Sequence, residues 1–223
     1  MTRPERVTVI GATGDEGFGL AARWATAGID VVVGSRDAGR AKDAAGRLRE
    51  LVPDAGVEGL ENSDAAAASD VVVVTVPFAG QAAIYRSIAG SIREGTVVID
   101  CTVPLAAAVG GKVRHTLGVW EGSAAQQASS LLDRGKLCAA FHTLAAAALT
   151  DITRSMEGDV LACGHKDGKE VVAHLVEAIP DLGFVDAGPL ENARIVEPIT
   201  ALLIGINHRY KTDRAGIHIA GLK

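Results

Sequence analysis

The stretch Val7-Thr8-Val9-Ile10-Gly11-Ala12-Thr13-Gly14-Asp15-Glu16-Gly17 decides the fold. Val7, Val9 and Ile10 form a buried-strand pattern that runs into three glycines at three-residue spacing, and a helical pattern follows at once. Strand, glycine turn and helix make the phosphate-binding opening of a dinucleotide-binding unit. Gly11 permits the tight turn, Gly14 lets a pyrophosphate approach the backbone, and Gly17 lets the helix lie close on the strand. The N–H groups at the helix start are unpaired and partly positive, which suits an anion. The spacing is G-x-x-G-x-x-G rather than the commoner G-x-G-x-x-G, and an ordinary strand-to-helix turn competes with the nucleotide reading of the motif alone. Its position between a strand and a helix carries the weight.

The second strand decides which nucleotide is expected. Asp30–Gly34 is a continuous β-branched run, as in a strand buried on both faces of a parallel sheet. Units that bind NAD usually place an acid at this strand end to hold a ribose hydroxyl. Here Ser35 and Arg36 stand there, with Arg40 one helical turn beyond. A hydroxyl and two guanidiniums favour a 2′-phosphate, so NADP(H) is expected over NAD(H). The competing reading makes Arg36 and Arg40 solvated charges at a helix start. Asp37 is expected to cap that helix.

Further strands are predicted at 57–60, 71–76, 96–101 and 136–141, with helices at 17–27, 38–51, 63–68, 81–91 and 123–132. Val76-Pro77 and Val103-Pro104 both close a strand, since proline cannot extend the ladder. Two such endings side by side build a wall next to a bound ring. Phe78 lies against the nucleotide or simply packs. His142 follows the strand at 136–141, at the edge where open α/β sheets bind ligands. From Ala145 the rhythm changes to strand 159–163, helix 166–178, strand 183–185 and a long helix, 191–206. The expected fold class is α/β: a Rossmann-type doubly wound parallel sheet with a smaller C-terminal α/β domain. The boundary is drawn at residues 1–144 and 145–223.

The 223 residues carry 22 Lys plus Arg against 27 Asp plus Glu, a net charge of −5 that gives no reason to expect nucleic acid. Cys101, Cys138 and Cys163 are far apart and fit no metal spacing, so buried thiols in a reducing cytoplasm are expected. No signal peptide and no membrane span is read. The tail 207–223 is locally basic, either a solvated terminus or an anion site.

The chain resembles the NADPH-dependent F420 reductases (F420H2:NADP oxidoreductases) over nearly its whole length. The likeness rests on Gly11–Gly17, Gly34-Ser35-Arg36, Val76-Pro77-Phe78, Val103-Pro104 and Phe141-His142-Thr143. It continues in 186–194 and in Ala215-Gly216-Ile217. The resemblance implies reversible hydride transfer between NADP(H) and coenzyme F420, a deazaflavin, in a homodimer. It carries NADP binding onto Thr13, Gly14, Asp15 and Glu16, and 2′-phosphate binding onto Ser35, Arg36 and Arg40. Phe78 and Leu105 match positions lining the NADP pocket. The deazaflavin side maps to His142, Ala146, Ala215 and Gly216. Ala145 stands where some members have proline, and the tail is longer and more basic than in some.

Such a transfer needs no nucleophile and no metal, because the cofactors carry the chemistry and the protein brings two rings into contact. No catalytic residue is therefore expected. His142 is read either as a hydrogen-bond partner of the deazaflavin or as a structural histidine. Two other functions fit the same first half. One is an NADPH-dependent reductase of an imine or ketone, and the other is a non-enzymatic NADP sensor.

Overall fold

The computed structural model describes residues 4–222. Its strands are β1 (Arg6–Ile10), β2 (Asp30–Ser35), β3 (Val57–Glu61), β4 (Val71–Val74), β5 (Val97–Asp100), β6 (Lys136–Ala139), β7 (Gly158–Gly164) and β8 (Leu182–Asp186). They form one sheet in the order β3-β2-β1-β4-β5-β6-β7-β8. The first six are parallel, which requires a crossover between each pair in sequence. Those crossovers include α1 (Asp15–Thr26), α2 (Ala38–Leu51), α3 (Asn62–Ala67), α4 (Phe78–Ile88) and α5 (Ala124–Ser130). The valine-rich strands β1, β2, β4 and β5 are buried on both faces, as their unbroken β-branched runs predict.

β7 reverses direction against β6, pairing Ala139 with Cys163, and β8 runs parallel to β7. The strand–helix–strand set expected after residue 145 is thus hydrogen-bonded onto the same sheet. Its helices are α6 (Ala146–Thr150), α7 (Lys166–Glu177) and α8 (Ala193–Tyr210). Because β7 runs backwards, its first residue, Gly158, lies beyond the C-terminal ends of the parallel strands. The tail docks there, with Asp159 N–H donating to the Ile217 carbonyl at 2.7 Å.

Some predicted boundaries move for physical reasons. β4 stops at Val74; Thr75 N–H still donates to the Ile10 carbonyl at 2.9 Å, and Pro77 beyond it cannot extend the ladder. β6 stops at Ala139, since Phe141 adopts φ +67°, a left-handed conformation that no strand accommodates. α4 starts at Phe78, straight after Pro77, and α8 runs on to Tyr210. The alanine run 145–148, a composition that suits a helix, opens the short helix α6. The three cysteines are buried and free. Among the described residues no helix is long and apolar enough to cross a membrane.

Candidate active site

A cleft of about 850 Å³ opens along the C-terminal edge of β1, β2, β4 and β5. One end is built by the glycine turn. Gly11 has φ +95°, and a Cβ there would lie 2.9 Å from Thr75 Oγ1. A Cβ on Gly17 would lie 2.3 Å from the same oxygen, so only glycine lets α1 sit this close to β4. Gly14 is different: its nearest neighbour would be 3.5 Å away, and it faces the cleft. No side chain caps α1, which leaves its first N–H groups to a ligand.

Ser35, Arg36 and Arg40 line the same end. Asp37 accepts from Arg40 N–H at 2.9 Å and is thereby committed to capping α2. Among the described residues, neither Arg36 nor Arg40 is in an ion pair. Two exposed guanidiniums and a hydroxyl, with no acid turned toward them, suit a phosphate.

Acidic groups lie at and beneath the cleft floor. Asp100, fully buried at the end of β5, accepts from Gln81 Nε2 at 2.7 Å and from Thr102 N–H at 2.6 Å. Burial pushes its carboxyl up to about 6. Glu16, half-buried on the first turn of α1, is pushed up to about 8 by desolvation and by Asp100. The buried Cys101 thiol is raised well above its usual range by burial, Glu16 and Asp100, so it stays protonated. Behind this floor, the α8 residue Glu197 accepts from Ala124 and Ala125 N–H at 2.9 and 3.0 Å, capping α5. Burial raises it to about 7.

The other end is set by Phe141. Its ring is buried edge-on against Trp24, with centroids 5.6 Å apart. With the ring anchored and the backbone left-handed, the chain turns and presents His142 to the cleft. His142 is 4% exposed, and neither ring nitrogen has a partner. Burial lowers it to about 4, so the ring is neutral at pH 7 and offers one donor and one acceptor. Val76, Pro77, Val103 and Leu105 form the apolar wall expected from the two strand endings. Ala146, at the start of α6, adds a small side chain to the same rim.

α6 owes its place to α1. Arg23 is 5% exposed and donates to the carbonyls of Ala148, Leu149, Asp151 and Arg154 at 2.6–3.1 Å. Gly19 permits the approach, since a Cβ there would lie 2.5 Å from Leu149 Cβ.

The structure therefore brings Gly11, Thr13, Gly14, Asp15, Glu16, Ser35, Arg36, Arg40, Leu105, His142 and Ala146 to one cleft. Phe78 is half-buried and lies outside the lining, where Ala79, Gly80 and Ala83 stand instead. Ala215 and Gly216 also lie outside it. Ala215 N–H donates to Asn207 Oδ1 at 3.0 Å, and Gly216 packs near the Glu157 carbonyl. Asn62, Thr75, Thr102 and Thr200 line the cleft without having been singled out in the sequence. Only Asn62 had a usable signal, as the residue after the strand beside Ser35.

A family model described as NADP oxidoreductase, coenzyme F420-dependent, matches residues 6–104. A protein named F420-dependent NADP reductase from Methanothermobacter thermautotrophicus is 44% identical, the match covering 97% of this chain and 95% of the relative. A protein of that name from Methanocaldococcus jannaschii is 36% identical, covering 98% and 99%. Among solved structures, one from Arthrobacter sp. FB24, provisionally named an F420-dependent NADP-reductase, superposes with a TM-score of 0.81. It is 23% identical and covers 96% of this chain and 98% of its own. An imine reductase from Streptomyces aurantiacus shares the fold with a TM-score of 0.61 at 15% identity, covering 92% of this chain and 64% of that one.

Proposed function

Since the chain belongs to the F420-dependent NADP reductase family, we propose that its cleft holds NADP(H) at the glycine-turn end and coenzyme F420 at the His142 end. The enzyme passes a hydride between the two, reversibly. The observation that carries this reading is the single cleft joining a 2′-phosphate cradle to a small-residue, apolar end.

The nicotinamide nucleotide brings the hydride chemistry when bound, and the deazaflavin accepts or returns the hydride. The protein's own part is to bind and orient. Gly11, Thr13 and Gly14, with the free N–H groups of α1, hold the pyrophosphate. Ser35, Arg36 and Arg40 hold the 2′-phosphate. Val76, Pro77, Val103 and Leu105 exclude water from the ring faces. His142, neutral and unpartnered, hydrogen-bonds the second ring, and Ala146 leaves room for it. In this reading residues 1–144 hold the nucleotide and 145–223 cover the deazaflavin.

A homodimer fits the surface. Ile195 and Leu202, both 63% exposed, lie on one stripe of α8, and Trp120 is 98% exposed. A second copy is the occupant proposed for this face. The buried free thiols support a reducing cytoplasm.

The deciding experiment mixes the protein with NADPH and oxidised F420 and follows bleaching of the deazaflavin absorbance. Fast bleaching that fails with NADH is expected. Tight NADPH binding without bleaching would move the function to another acceptor.

A further inference from the structure

Asn62 opens α3 but does not serve it. The cap of that helix is Glu61, whose carboxylate accepts from Ser63 N–H at 3.2 Å and from Ser63 Oγ at 2.6 Å. Asn62 is 1% exposed, and its Oδ1 has no hydrogen-bond partner. A buried amide oxygen left unpaired is costly, and native proteins seldom keep one without a use. The side chain borders the cleft at the Ser35 end. Its oxygen lies over Gly34, where an added Cβ would come within 3.3 Å of it. Register explains the placement. Ser35 pairs with Glu61 across β2 and β3, so the next residue of β3's chain stands beside the phosphate cradle.

We infer that Asn62 is a recognition residue for the adenosine half of the nucleotide, its amide oxygen accepting a hydrogen bond from that half. The assignment rests on the NADP reading of the cleft. Two donors of adenosine can lie within reach once the 2′-phosphate is fixed by Ser35, Arg36 and Arg40. They are the 3′-hydroxyl, on the carbon next to the phosphate, and the exocyclic amine of adenine. Both supply what the orphan oxygen lacks. This recognition is distinct from the choice between NADP(H) and NAD(H), which belongs to the guanidiniums.

The test uses adenosine 2′-phosphate as a fragment and measures its affinity for the full chain by calorimetry. Two analogues go beside it: inosine 2′-phosphate lacks the exocyclic amine, and 3′-deoxyadenosine 2′-phosphate lacks the hydroxyl. Wild type should bind one analogue roughly tenfold more weakly than the parent and the other about equally, which identifies the donor. Asn62→Ala should weaken the parent by a similar factor and abolish the difference between parent and that analogue. Asn62→Ser, with a shorter acceptor and less disturbance of α3, should fall between. Equal losses for all three probes in both variants, or a wild type that treats all three alike, would overturn the assignment while leaving the nucleotide reading in place. A wild type that does not bind adenosine 2′-phosphate overturns that reading and the assignment with it.

Discussion

Thr200 on α8 donates its hydroxyl to the backbone carbonyl of His142 at 2.8 Å. The last long helix is thereby tied to the residue that faces the far end of the cleft. Thr200→Val keeps the shape but leaves that carbonyl without its donor, at a cost of about 1 kcal/mol in positioning. We expect the KM for F420 to rise several-fold while the KM for NADPH stays unchanged. Steady-state kinetics with each substrate varied in turn checks this, and a rise confined to NADPH would refute it.

Arg36 and Arg40 are unopposed by acid, so their loss should be felt by the phosphate alone. Each charge-assisted contact is worth roughly 1.5–3 kcal/mol. Arg36→Ala and Arg40→Ala should each raise the KM for NADPH by about tenfold or more and change that for NADH little. The ratio of the two Michaelis constants is the measurement.

Glu16 gives nucleotide binding a pH dependence. Its carboxyl is raised to about 8, so it is neutral below that pH and becomes an anion above it, close to the glycine turn proposed to hold the pyrophosphate. NADP+ affinity should therefore fall as pH rises through 8, by about tenfold. The 2′-phosphate, with a second pKa near 6, is already doubly charged across this window. Calorimetric titrations between about pH 7 and pH 9.5 should show the fall in wild type and a flat profile in Glu16→Gln. The same slope in both proteins would rule Glu16 out as its source.

His142 sets an acid limit on stability. Its folded value of about 4 lies below the ordinary 6.5, so the unfolded chain binds more protons between those two values. Stability from this residue is complete above pH 6.5 and is lost as pH falls toward 4, up to roughly 3 kcal/mol. On lowering the pH from 7 to 4.5, urea midpoints should fall less steeply in His142→Gln than in wild type.

Arg23 is a structural charge. Arg23→Ala strips donors from four carbonyls around α6 and should cost about 3 kcal/mol, read as a lower melting temperature. Gly19→Ala should destabilise through a clash with Leu149 instead.

The nucleotide half of the site was legible because its signals are local. Valine runs name buried strands, glycines name the turn, and Ser35, Arg36 and Arg40, singled out after Gly34, do line the cleft; α2 was predicted with its observed bounds, Ala38–Leu51. The far end was less so. The left-handed Phe141 is accompanied by packing of its ring against Trp24, 117 positions away in sequence. Arg23 looks like an ordinary helical charge until α6 surrounds it. No local pattern distinguishes a β7 that runs backwards from one that runs forwards. The acidity of Glu16 depends on Asp100, brought beside it only when β5 takes its place in the sheet.

The reversal of β7 has a practical side. It carries Gly158, and with it the docked segment around Ile217, to the rim along which the cleft opens, whereas β1 begins with Arg6 at the opposite rim. The molecule thus has a handle and a mouth. Tethered to a surface through residues preceding Arg6, it points its cleft outward into solution. Tethered beyond Ile219, whose N–H is bonded to Asp159 near the start of β7, it turns that rim toward the support.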